Sequence, residues 1–64
     1  MTRRFVYFFI GGDQFHVEAI PMDLDEVALA PILSDILSKQ KTWEDTLQLV
    51  YGTHIRITLH YDPP

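Results

Sequence analysis

A short polar lead-in containing Arg3 and Arg4 gives way to six consecutive large apolar residues, Phe5 to Ile10. Aromatic and β-branched side chains in so short a run predict a strand, and a strand apolar on both faces belongs in the middle of a sheet. Gly11-Gly12-Asp13-Gln14 follows as a turn, its glycines permitting the positive φ angles of tight hairpins. Phe15 to Ile20 is the second strand. A two-residue turn at Gly11-Gly12 or Gly12-Asp13, or a four-residue loop over both, pairs even positions of the first strand with odd positions of the second. The expected core face is then Val6, Phe8, Ile10, Phe15, Val17 and Ala19, and the opposite face carries Phe5, Tyr7 and Phe9 beside His16, Glu18 and Ile20.

Pro21 ends that strand, and Asp23-Leu-Asp-Glu26 has the form of a helix start, with Asp23 as N-cap and Glu26 reaching back. Pro31 either separates a short helix over 24–29 from a second one or kinks a single helix that continues to Lys39. The apolar spacing of Leu24, Val27 and Ala28, and of Leu29, Ile32, Leu33, Ile36 and Leu37, is amphipathic under both readings. Thr42-Trp-Glu-Asp45 repeats the capping pattern. Trp43, Leu47, Val50 and Tyr51 recur at helical spacing, and Gly52 is placed to end the segment. Trp43 reads as a core anchor between helix and sheet. From Ile55 to Tyr61 apolar and polar residues alternate, predicting a third strand with Ile55, Ile57, Leu59 and Tyr61 inward and Arg56, Thr58 and His60 outward.

The expected fold is therefore α+β, with element order β-β-α-α-β, a three-stranded sheet in order 2-1-3 and the helices packed on one face. Two antiparallel helices would return the third strand parallel to the first, the favoured arrangement; one continuous helix would make it antiparallel. All 64 residues form a single domain. At that size only about 60% of the unfolded chain's surface is buried on folding, and the absence of cysteine excludes disulfides and thiolate zinc sites as supplements. No signal peptide or membrane span is expected, because Phe5–Ile10 is too short and is followed by Gly11-Gly12. The chain reads as cytoplasmic.

Charge changes the picture by its placement. The formal net charge is −4, yet between Phe5 and Ser38 there is no Lys or Arg, while Asp13, Glu18, Asp23, Asp25, Glu26 and Asp35 all fall in that interval. Such a field repels nucleic-acid phosphates and attracts basic surfaces. Candidate chemistry is sparse. His16, His54 and His60 lack the spacing of a metal site, with His16 and His60 expected about 10 Å apart on the outer face. Ser34 and Ser38 lie in no nucleophile turn, and Gly11-Gly12 lacks the lysine and following helix of a phosphate loop. The chain reads as a non-enzyme without cofactor or metal. Phe5, Tyr7 and Phe9, edged by His16, Glu18, Arg56, Thr58 and His60, form the more informative constellation, an apolar patch of the kind monomers seldom leave bare.

In overall character, a short, acidic, cysteine-free chain without catalytic signature resembles the small inhibitors encoded by bacteriophages and mobile elements, anti-CRISPR proteins among them. The resemblance implies action in a bacterial cytoplasm by occupying a basic nucleic-acid channel of a CRISPR effector complex, a role suited to the run from Asp13 to Asp35. The leading expectation is a stoichiometric protein-binding inhibitor using Asp13, Glu18, Asp23, Asp25, Glu26 and Asp35, with Phe5, Tyr7 and Phe9 as apolar anchors. The alternative is a self-assembling structural or accessory module that forms a homodimer through its sheet face.

Overall fold

The computed structural model describes residues 3–21 and 23–62. These form strands β1 (Arg3–Ile10) and β2 (Asp13–Pro21), a helix α1 (Glu26–Tyr51) and a strand β3 (Ile57–Tyr61). The sheet order is β2-β1-β3, with the doubly apolar strand in the centre as its composition requires. Both neighbours run antiparallel to β1. The α+β class, the strand order and the packing of helix on one side agree with the reading from sequence.

The helix count does not. A single helix of 26 residues replaces the expected pair, and Pro31 lies inside it. Proline removes one N–H and crowds the carbonyl four residues earlier. That carbonyl belongs to Val27, which with Pro31 faces solvent, where water can satisfy it. Leu29, Ile32, Leu33 and Ile36 meanwhile hold the segments on both sides of Pro31 against the sheet. From Lys39 to Thr42 there is neither Gly nor Pro, so propagation continues and Thr42 lies mid-helix rather than at a cap. With one crossing, β3 returns antiparallel to β1 rather than parallel. The N-cap is Asp25, two residues later than expected; its carboxylate accepts the Ala28 N–H at 2.8 Å. Gly52 ends the helix as expected. It adopts φ 75°, the left-handed region, and donates its N–H to the Gln48 carbonyl at 2.8 Å.

A second correction concerns register. The hairpin turns at Gly11-Gly12, with φ +61° at Gly11, and pairs Ile10 with Asp13 and Phe9 with Gln14, as the two-residue turn predicts. A β-bulge then intervenes: Phe8 pairs with His16, leaving Phe15 as the extra residue. Because side chains alternate with period two, one inserted residue turns over everything beyond it. Val17 and Ala19, expected inside, lie on the outer face opposite Tyr7 and Phe5, and Val17 is 42% exposed. His16, Glu18 and Ile20, expected outside, lie on the helix side, where Ile20 is 4% exposed. Phe15, expected in the core, keeps its side of the sheet but is 36% exposed, with its ring edge-on to Trp43.

The core is consequently small. Val6 and Phe8 from β1, Ile20 from β2, Ile36 from α1 and Ile57 from β3 are buried, with Ile10, Leu29, Ile32, Leu33, Leu47 and Leu59 packed around them. The molecule is a thin plate of 41 × 23 × 12 Å. Its long axis is the helix, which at 1.5 Å per residue runs about 39 Å.

Candidate interaction surfaces

Two layers make this fold, one helix and one sheet, so the sheet has one face on the core and one away from it. The outer face presents Phe5, Tyr7 and Phe9 from β1, Val17 and Ala19 from β2, and Thr58 and His60 from β3. No described residue forms a layer over it. Phe5 is 39% exposed and lies beside Tyr7, ring centroids 6.4 Å apart, while Phe9 meets His60 edge-on at 4.7 Å. The Tyr7 hydroxyl is held protonated beyond its ordinary range, chiefly by hydrogen bonding toward the Asp62 carboxylate and then by partial desolvation and the charge of Asp62. Apart from His60, whose charge depends on protonation, the seven residues named here are uncharged at neutral pH, and Asp62 marks the rim. The bulge enlarges this surface, because it replaces the expected His16, Glu18 and Ile20 with Val17 and Ala19. Arg56, expected along its border, is exposed just before β3 begins.

The edges of the sheet are blunted against further strands, though not sealed along their length. Asp62 donates its N–H to the Phe5 carbonyl at 3.0 Å, so by alternation the backbone groups of Ile57, Leu59 and Tyr61 face the free edge of β3. At Ile57 both are taken by the helix: its N–H donates to Glu44 Oε2 at 2.8 Å and its carbonyl accepts from Gln40 Nε2 at 2.6 Å. On the other edge, β2 carries the bulge at Phe15, ends in Pro21 and points a charge, Glu18, inward toward the helix. Each of these devices disfavours edge-to-edge pairing.

The six acidic residues do not form one surface. Glu18 accepts from Lys39 Nζ at 2.8 and 2.9 Å, and His16 Nε2 lies 3.0 Å from its Oε2. The Lys39 hydrogen bond holds the Glu18 carboxyl below its usual range, outweighing a partial burial that acts the other way, with His16 adding to the lowering. Asp35 shares the same cation at 3.3 Å, and the Lys39 ammonium is raised by its hydrogen bonds to Glu18 first and Asp35 second. Asp25 is committed to the helix cap. Asp13 sits at the hairpin end of β2, eight residues and about 26 Å along the strand from Pro21 and the exposed Asp23, Asp25 and Glu26 beyond it. The sequence placed these groups in one interval; the fold sends them to opposite ends.

The far end of the helix is also apolar. Gln40 and Glu44 reach Ile57, level with the last residue of β1, so the turns up to Tyr51 rise roughly 10 Å past the sheet. Trp43 is half-exposed against Phe15, ring centroids 5.3 Å apart, and Leu47 packs on the core, while Leu49, Val50 and Tyr51 are exposed. The histidines are dispersed. His16 faces the helix, His60 the outer face, and His54 approaches Glu44 at 3.7 Å. Among the described residues no group of three or more His, Asp or Glu is arranged to hold a metal ion, and no helix is long and apolar enough to cross a membrane. Comparison of the chain with protein-family models, curated proteins and solved structures found no match.

Proposed function

We propose that the protein is an interaction module that associates through the outer sheet face, and that a second copy of the chain occupies that face. The observation that carries this reading is an apolar surface that no described residue covers, beside edges that are blunted. Extension of the sheet is disfavoured and would leave this face bare, whereas stacking face on face, as in a β-sandwich, buries Phe5, Tyr7, Phe9 and Val17. Electrostatics favours a second copy. Elsewhere a chain of net charge −4 repels itself, whereas two outer faces meet without opposing carboxylates at their centre. The surface balance points the same way: the chain exposes 4789 Å², and a compact monomer of its mass exposes about 4,250 Å². Such a contact buries on the order of 1,000 Å² in total, the small end of specific interfaces.

Sedimentation equilibrium of the wild type and Tyr7→Lys tests the proposal. The wild type is a concentration-dependent dimer, and the variant, with a lysine from each copy forced into the apolar contact, is a folded monomer. A monomeric wild type at several hundred micromolar, or an unaltered dimer in the variant, refutes it.

A second reading rests on Asp23, Asp25 and Glu26, exposed together at the helix start. Here the protein is an inhibitor of the anti-CRISPR kind that meets a basic nucleic-acid-binding surface with this acidic end. Reversing Asp23 and Glu26 to lysine, which leaves the Asp25 cap in place, then abolishes inhibition while Tyr7→Lys leaves it intact, and the opposite pattern discards the reading.

A further inference from the structure

At the end of the plate where α1 begins, helix and sheet diverge around a cleft of about 320 Å³, lined by Arg4, Ile20, Pro21, Leu29, Leu33 and Tyr61. It lies on the helix side of the sheet, away from the outer face, and is independent of how that face is used. Four of the six lining residues are aliphatic. The exception that matters is Arg4. On β1 it shares the inward side with Val6, Phe8 and Ile10 and stands opposite Ile20, so a guanidinium occupies a position that the pattern of the strand assigns to an apolar side chain. It is half-buried, and no described carboxylate lies within ion-pair distance of it, although Asp23, Asp25 and Glu26 belong to the same end of the molecule.

We infer that this cleft binds a small amphiphilic carboxylate, its tail between Leu29, Leu33 and Ile20 and its head group on Arg4. Guanidinium matches carboxylate in a planar, two-point hydrogen bond, and a half-desolvated position strengthens that bond over its value in water. Tyr61 also lines the cleft and carries a hydroxyl, a further donor. The volume is at the lower limit for ligand sites and equals that of roughly ten water molecules, which suits an acid with a short alkyl or single-ring tail. The surrounding carboxylates disfavour anions at long range, so binding relies on contact with Arg4 and falls off with any change to it.

The test is a titration with sodium octanoate followed by methyl and aromatic NMR shifts, with octylamine as the matched cation. Octanoate is expected to shift the methyl signals of Ile20, Leu29 and Leu33 with saturation in the millimolar range or below, and octylamine is expected to leave them in place. Arg4→Gln weakens octanoate binding about tenfold or more, as loss of a charged hydrogen bond does. Arg4→Lys gives an intermediate loss, and Leu33→Trp, which fills the cleft, removes binding in a chain that still shows the native circular dichroism. Four results overturn the inference: no saturable shifts, equal binding of octylamine, unchanged affinity in Arg4→Gln, or shifts confined to Phe5, Tyr7 and Phe9 on the opposite face.

Discussion

Replacing Ile20 and Val17 separately by alanine distinguishes the bulged register from the continuous one. In the structure Ile20 is 4% exposed in the core and Val17 is 42% exposed on the outer face. Truncating Ile20 removes three buried carbons and opens space beside Leu29 and Leu33, a loss of about 3 kcal/mol. Truncating Val17 removes two carbons that are only partly out of water and leaves no cavity, a loss of about 1 kcal/mol. Both changes carry the same loss of strand propensity, so the difference of about 2 kcal/mol reports on burial. A chain of 64 residues has roughly 3–10 kcal/mol of stability in all. Should Ile20→Ala prove too unstable to measure, Ile20→Val at about 1 kcal/mol provides the folded reference. Urea unfolding followed by circular dichroism, at several protein concentrations to separate any effect of association on Val17, gives the midpoints. A larger loss for Val17→Ala than for Ile20→Ala at the lowest concentration would mean that the hairpin keeps even–odd pairing throughout and that the bulge is wrong.

Further predictions follow from single contacts. Glu18→Gln lowers stability by less than about 1 kcal/mol at neutral pH, because its pair with Lys39 is 21% and 44% exposed. Its clearer effect is on pH dependence. A carboxyl lowered in the folded state stabilises above its ordinary value of 4.5, and that stabilisation is lost as pH falls through the folded value, so acid unfolding of the variant is shallower than that of the wild type. Glu44→Ala leaves the Ile57 N–H without its acceptor and costs about 1–3 kcal/mol; faster amide exchange at Ile57 reports it, and an unchanged rate contradicts the capping of that edge. Gly52→Ala forces a side chain into the left-handed region and costs about 1 kcal/mol, whereas Gly12→Ala, with open space and no positive φ, leaves the thermal midpoint nearly unchanged.

Strong local signals carried into the structure. Phe5–Ile10, apolar on both sides, could only be central, and the alternation read from Ile55 to Tyr61 holds over Ile57–Tyr61, while Ile55 and Arg56 precede the strand. Gly52 was legible as a helix stop because it supplies a backbone conformation that other residues rarely adopt. Pro31 misled because its effect depends on which way it faces. On the solvent side, with apolar residues anchoring both flanks, it interrupts one hydrogen bond and not the helix. The second strand was ambiguous in kind. Phe15, Val17 and Ala19 make the more apolar face, but the other set contains Ile20, the bulkier residue at the deep end, and Glu18, which becomes tolerable inside only when Lys39, twenty-one positions later, arrives to pair with it. That information lies in tertiary contact. For the same reason the acidic interval looked like a surface, since sequence order conceals that a strand of nine residues carries its ends far apart. Phe5, Tyr7 and Phe9 were found because the outer side of a central strand is determined by alternation alone. Arg4 reads as part of a polar lead-in, although counting back by twos from Val6 places it on the core side.

The most direct measurement is an isotope-filtered NMR experiment on an equal mixture of labelled and unlabelled protein at millimolar concentration, which detects contacts only between copies. Association through the outer face predicts intermolecular cross-peaks from Phe5, Tyr7, Phe9 and Val17, and none from Trp43 or from the segment around Asp23 and Glu26. Cross-peaks confined to Trp43, Leu49 and Val50, or none at all, would contradict the account and leave the sheet face unpartnered by its own kind.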